Sequence, residues 1–204
     1  MERYGCAILP SVKPFALSTL LLLSCAVGQS LYEPAPPANS AFVRVANASA
    51  AQLGSKRVSV EKGGVSPYVV IAQGEMQVNL GSLSQKFNVS AGNFYTVAVS
   101  DGKLKLLQDP AADNRAKALL TFYNLASTPL DLKTLDGKTS VLTGVPAGGS
   151  ASRAVNGITV DLGVFSKGKL LSTVKAAKLE RGAAYAIVAS DAGASITLSS
   201  TQTK

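Results

Sequence analysis

The chain has 204 residues, carries 20 Lys and Arg against 12 Asp and Glu, and contains neither histidine nor tryptophan. Without His it can build no Ser-His-Asp or Cys-His site and no histidine-ligated metal centre. Its two cysteines, Cys6 and Cys25, both precede the first strand-like run, so the folded part must rest on packing alone, without thiolate chemistry or a disulfide.

Arg3 and Lys13 lie ahead of an uncharged apolar stretch, FALSTLLLLSCAVG, from Phe15 to Gly28. It is too short for a comfortable bilayer span and is followed by small residues, which predicts a secretory signal over residues 1–28. Ala26-Val27-Gly28 has the small-x-small form of a cleavage site and puts the mature start near Gln29. A competing cut before Cys25, in LLSC, would leave a lipid anchor there, although Leu23 fits a lipoprotein box poorly. Removing Glu2, Arg3 and Lys13 leaves 20 − 2 = 18 basic and 12 − 1 = 11 acidic side chains, a balance of +7. A basic surface of this kind attracts an acidic polysaccharide, anionic headgroups or an acidic partner protein. Nucleic acid is a poor candidate, because the signal predicts export and the chain has no basic run interleaved with aromatics.

Residues 29–40 are Pro-rich and read as an extended leader. From Ala41 the chain turns to short runs with period-two alternation, such as AFVRVAN, PYVVIA, MQVNL and FYTVAV, and shows no stretch of helical period. Asp101-Gly102, Asp136-Gly137 and Asn156-Gly157 sit between such runs and predict hairpins, because glycine supplies the positive φ of a tight turn. Lys167-Gly168, in VFSKGKLL, is a weaker fourth signal.

Two echoes divide the chain. AFVRVAN at Ala41 to Asn47 is matched by ALLTFYN at Ala118 to Asn124, and GNFYTVAVSD at Gly92 to Asp101 by GAAYAIVASD at Gly182 to Asp191. The same order in both halves points to duplication. The predicted fold is all-β, with two small β-sandwich domains in tandem at residues 41–109 and 118–204. The polar segment 110–117 is expected to act as a short linker.

Chemical motifs are sparse. STVK, Ser172 to Lys175, has the Ser-x-x-Lys spacing of penicillin-binding proteins, which requires a helix, whereas KLLSTVKAAKL reads as a strand. PAGGSASRAVNG, Pro146 to Gly157, fits no phosphate-binding pattern and reads as a flexible turn. Asp109 and Asp113 read as solvated linker carboxylates rather than a calcium site. Tyr68, Tyr95, Tyr123 and Tyr185 could stack on sugar rings, Tyr68 and Tyr123 more readily than the repeated pair, but isolated tyrosines in strands are more often core or rim packing. No catalytic residue, metal or cofactor is assigned. The residues expected to meet a partner or polyanion are Tyr32, Arg44, Lys56, Arg57, Tyr68, Arg115 and Lys117.

Three stretches together carry a family likeness. LYEPAPPANSAFVRVANAS (Leu31 to Ser49), LLQDPAADNRAKALLTFYNLAS (Leu106 to Ser127) and LKTLDGKTSV (Leu132 to Val141) resemble the AlgF family, the periplasmic accessory proteins of bacterial alginate O-acetylation. The resemblance implies a non-catalytic, two-sandwich adaptor in the periplasm. It would work beside a membrane-bound O-acyltransferase and SGNH-type acetyltransferases on alginate or a related exopolysaccharide such as cellulose. A polyanion-binding module is the alternative, and an acetyl carrier or acetyltransferase the third reading.

Overall fold

The computed structural model describes residues 35–60 and 63–202. The proposed signal, both candidate cleavage sites, Cys25 and Tyr32 lie outside them. Among the described residues there is no helix, and so none long and apolar enough to cross a membrane.

The first half supplies β1 (Ser40–Val45), β2 (Ala50–Leu53), β3 (Lys56–Ser59), β4 (Tyr68–Ala72), β5 (Gly74–Leu80), β6 (Leu83–Val89), β7 (Phe94–Ser100) and β8 (Lys103–Asp109). The second supplies β9 (Ala118–Asn124), β10 (Leu130–Thr134), β11 (Ser140–Val145), β12 (Gly149–Val155), β13 (Thr159–Ser166), β14 (Lys169–Lys178), β15 (Ala184–Ser190) and β16 (Gly193–Leu198). The sheet orders β4-β1-β7-β8 and β3-β2-β5-β6 recur as β12-β9-β15-β16 and β11-β10-β13-β14. Each strand of the second half thus takes the place of the strand eight earlier.

Register confirms the duplication residue by residue. β1 and β7 pair in parallel with Val43 opposite Tyr95, and β9 and β15 pair in parallel with Leu120 opposite Tyr185. These are the positions that the two sequence echoes equate. Tyr95 and Tyr185 also make the same bond: each hydroxyl accepts from a backbone N–H five residues upstream, that of Ser90 at 3.3 Å and that of Glu180 at 3.0 Å. This is the arrangement of a tyrosine corner, which pins the turn entering a strand to the strand itself. A short β17 (Thr201–Gln202) then returns to the first half and pairs in parallel with β4.

Each half packs its two sheets face to face. Ala41, Val43, Val45, Leu53, Met76, Val78 and Val97 belong to the first core, and Leu120, Phe122, Leu132, Leu162, Val164 and Ile187 to the second. A third apolar cluster joins the halves. Ala46, Val65 and Ala98 pack there against Tyr123, Leu125, Ala186 and Val188. Ala46 and Tyr123 occupy the same repeat position, as do Ala98 and Val188, so the two sandwiches meet back to back through the same face. Four sheets are therefore stacked, and the inner two are covered on both sides. That burial explains why ALLTFYN and YAIVA lack a polar alternate face.

The turns differ in part from expectation. Asp101-Gly102 (φ 51° and 69°) closes the β7–β8 hairpin, Gly137 (φ 71°) lies in the β10–β11 turn, and the weaker Lys167-Gly168 (φ 48° and 79°) closes β13–β14. Asn156-Gly157 closes no hairpin. It carries the chain from β12 in one sheet to β13 in the other, so a corner between sheets stands where a tight turn was predicted. Most of the segment expected to be a flexible turn, Pro146 to Gly157, is strand β12, paired along its length with β9.

Candidate functional site

Between the sandwiches lies a buried cluster of ionisable and hydroxyl groups. Arg44, on the outward face of β1, is 1% exposed. Its guanidinium donates from Nε to Thr96 Oγ1 at 2.9 Å, from Nη1 to Ser199 Oγ at 2.8 Å and from Nη2 to Tyr123 Oη at 2.6 Å. Asp109, the last residue of β8, is the counter-charge, with Oδ2 3.8 Å from Nη2. Its carboxylate accepts from the Tyr68 hydroxyl at 2.7 Å, from Thr96 at 2.5 Å and from Tyr123 at 2.5 Å. The guanidinium lies over the Tyr68 ring, 4.2 Å from its centroid, a cation–π contact in a desolvated setting. Phe94 meets Tyr68 edge-on and stacks on Phe42, which completes the wall.

The electrostatics follow from burial. Burial opposes the charge on Arg44, but Tyr123, Tyr68 and Asp109 together outweigh it and hold the guanidinium above its ordinary value. Burial also pushes the Tyr68 and Tyr123 phenols up, with Asp109 adding to the effect and Arg44 opposing it. Phenols so raised are poor proton donors and poor bases at neutral pH. The cluster is a satisfied polar clamp, with no group in it poised as a nucleophile.

The clamp is asymmetric within a symmetric frame. The repeat equates Arg44 with Thr121, Tyr68 with Ser152, Thr96 with Ala186 and Asp109 with Ser199. The first half carries the large or charged members and the second carries small ones. In the second half a Ser152–Thr121 hydrogen bond of 3.0 Å replaces the Arg44–Tyr68 pair. Small residues on one face leave room for large residues on the other, and Ser199 receives a hydrogen bond from Arg44 directly. A cavity of about 200 Å³ remains beside them, lined by Arg44, Tyr68, Thr121, Ser199 and Pro110 among others.

The residues expected to meet a partner are therefore spread out. Arg44 and Tyr68 come together but are buried, which corrects the expectation of surface contact: both faces of their sheet are covered. Asp109, read as a solvated linker carboxylate, is 6% exposed and is the ion partner of Arg44. Tyr123 is wholly buried, which agrees with the packing reading and not with sugar stacking. Lys56 and Arg57 lie on β3, an edge of the outer sheet, opposite Leu53 and Gln52. Arg115 is exposed between β8 and β9. Lys117 is half-buried and donates to Asn156 Oδ1 at 2.6 Å. Thr96 and Ser199 drew no notice in the sequence. The available signal was Arg44 itself, a charge inside Phe-Val-Arg-Val-Ala, where the neighbours on both faces are apolar.

Ser172 and Lys175 both lie on β14, three positions apart, and so point to opposite sides of the strand. The Ser172 hydroxyl accepts from the Ala194 N–H at 3.0 Å.

Residues 16–186 match the family described as "Alginate O-acetyl transferase AlgF". Among curated relatives, the alginate biosynthesis protein AlgF of Pseudomonas syringae pv. tomato is 33% identical over 186 residues, covering 88% of this chain and 84% of that one. The protein of the same name from Pseudomonas aeruginosa is 30% identical over 197 residues, covering 94% and 88%. A solved structure of the C-terminal domain of AlgF from P. aeruginosa is 30% identical, covering 41% of this chain and 96% of that domain, with a TM-score of 0.36. On the extent of the family match and of the curated relatives, the chain belongs to the AlgF family.

Proposed function

We propose that the protein is a non-catalytic periplasmic adaptor required for O-acetylation of an exported polysaccharide, alginate or a related polymer such as cellulose. Its partners are the membrane-bound O-acyltransferase and the SGNH-type acetyltransferases that move the acetyl group. The chain's family is described as an alginate O-acetyl transferase, which supports O-acetylation as the reaction it serves. The observation that carries the adaptor role is the buried clamp: among the described residues, this buried group of ionisable side chains is spent on joining two sandwiches. Acetyl transfer needs a nucleophile beside a base. Ser172 and Lys175, the pair with a matching spacing, diverge on a strand.

The test is complementation. In a strain lacking the gene, polymer should be secreted with few or no acetyl esters, and a chain bearing both Ser172→Ala and Lys175→Met should restore them in full. Loss of acetylation by that variant at normal abundance, or turnover of an aryl acetate by the purified protein, would reject the adaptor in favour of an enzyme or acetyl carrier.

A further inference from the structure

The second sandwich is open on one side, at a position that a buried valine fills in the first. A cavity of about 320 Å³ enters between β11 and β12, with Leu120, Leu162 and Leu179 beneath it and Val141, Val155 and Ile158 around it. Lys117 and Arg153 stand at its rim. The repeat explains the opening. Arg153 pairs with Leu120 as Val69 pairs with Val43, so the two are equivalent. In the first sandwich Val69 is buried and packs into the core. In the second, Arg153 is exposed and its Nη1 reaches the Ser140 and Val141 carbonyls of β11 at 3.1 and 2.9 Å. A valine plug has been exchanged for an arginine strap, and the apolar floor lies beneath it. Ile158, 52% exposed, stands at the mouth.

We propose that this cavity is the docking site for an extended segment of a partner protein that carries an aliphatic side chain flanked by carboxylates. The inference deepens the adaptor reading and rests on it. Charge complementarity selects the flanks: among the described residues the lining holds two cations and no acidic residue. Arg153 Nη1 is engaged with β11, so Nε and Nη2 remain for a carboxylate, and Lys117 keeps two of its three donors after bonding Asn156. The floor selects the anchor, since it is aliphatic throughout. Among the described residues no aromatic ring lines the cavity, and this favours a peptide over a polysaccharide, which stacks its sugar rings on aromatic faces. Among the described residues β11 and β12 are edge strands, so their edge groups other than the Ser140 and Val141 carbonyls held by Arg153 are open to an extended chain.

The test is an amide-shift NMR titration of the intact exported chain with three probes: the capped pentapeptide DLELD, its basic counterpart KLKLK and a uronate oligomer. DLELD should move the amides of residues 139–141 and 153–158, and bind at least about tenfold more tightly than KLKLK. Arg153→Glu and Ile158→Ser should each weaken DLELD by about tenfold or more with the thermal midpoint held. Ile158→Ser is the safer variant, because its side chain already faces water. The proposal is overturned if DLELD leaves these amides unmoved, if KLKLK binds as well, if both variants bind normally, or if only the uronate oligomer moves them. An enzyme revealed by the acetyl-ester assay would defeat the adaptor reading, whereas this titration reports on the cavity alone.

Discussion

Arg44 of the first sandwich donates to the Tyr123 hydroxyl of the second at 2.6 Å, and both residues share the carboxylate of Asp109. The three form one unit across the interface. A buried ion pair adds little net stability compared with an apolar filling, but removing one partner strands the other in a low-dielectric site. Asp109→Ala should therefore cost roughly 3–5 kcal/mol, a drop of about 10 °C in melting temperature for a chain of this size. Arg44→Met combined with Asp109→Leu should recover most of it. Thermal denaturation of the three proteins decides the matter, and an Asp109→Ala protein melting with the parent would show that Arg44 reaches water.

The raised phenols of Tyr68 and Tyr123 give the fold an alkaline limit. Burial disfavours the phenolate in the folded state, whereas in the unfolded chain both groups ionise near the ordinary value of 10.0. Above that pH the unfolded state releases protons that the folded state keeps, so the stability contributed by these groups is complete below pH 10.0 and falls as pH rises from there. Melting temperature should decline from about pH 10 upward. Phenolate absorbance should show Tyr68 and Tyr123 titrating only as the chain unfolds. Tyr123→Phe should flatten that decline even where it lowers stability at neutral pH.

The duplication and the strands were legible because they depend on local pattern: alternation, Gly at positive φ, and the repeated Gly-x-x-Tyr and Ser-Asp. The back-to-back packing of the halves was not, because a strand buried on both faces differs from a half-exposed one only in what replaces its polar alternates. Arg44 shows the ambiguity. On an outward face it reads as a partner-seeking cation, and only the Tyr123 surface from 79 residues away turns it into a core residue. The terminal Asn of the two echoed strands carries a second ambiguity. Asn47 is exposed with φ 52°, while Asn124 is wholly buried and donates to the Thr128 and Val145 carbonyls. One letter in one repeat position performs two tasks, and the sequence marks neither.

The repeated tyrosine corners allow an internal comparison. Tyr95 and Tyr185 each lose one hydrogen bond on replacement by Phe while keeping their ring packing, so each substitution should cost about 1 kcal/mol. They sit in separate sandwiches and share no partner. The double variant should then equal the sum to within about 0.5 kcal/mol. Denaturant titration of the two single variants and the double variant measures this. A large departure from additivity would mean that the two corners communicate through the inner sheets.

Cutting the chain tests how much the sandwiches lean on each other. Residues 35–109 alone keep Arg44, Tyr68, Thr96 and Asp109 but lose Tyr123 and Ser199, which complete the clamp, together with the β17 strand that pairs with β4. The same cut uncovers Ala46, Val65 and Ala98, which pack on the second half in the intact chain. Interfaces of this kind contribute by burying apolar area and by keeping the polar groups beneath them dry. The isolated first half should melt at least ~5 °C below the whole, given roughly 4–8 °C for each kcal/mol in a domain of its size. Adding the second half in trans should raise that midpoint in a concentration-dependent way, because the contact becomes a binding equilibrium. A first half that melts with the intact chain, and ignores the second when mixed, would show that the clamp holds the halves in register without contributing to their stability.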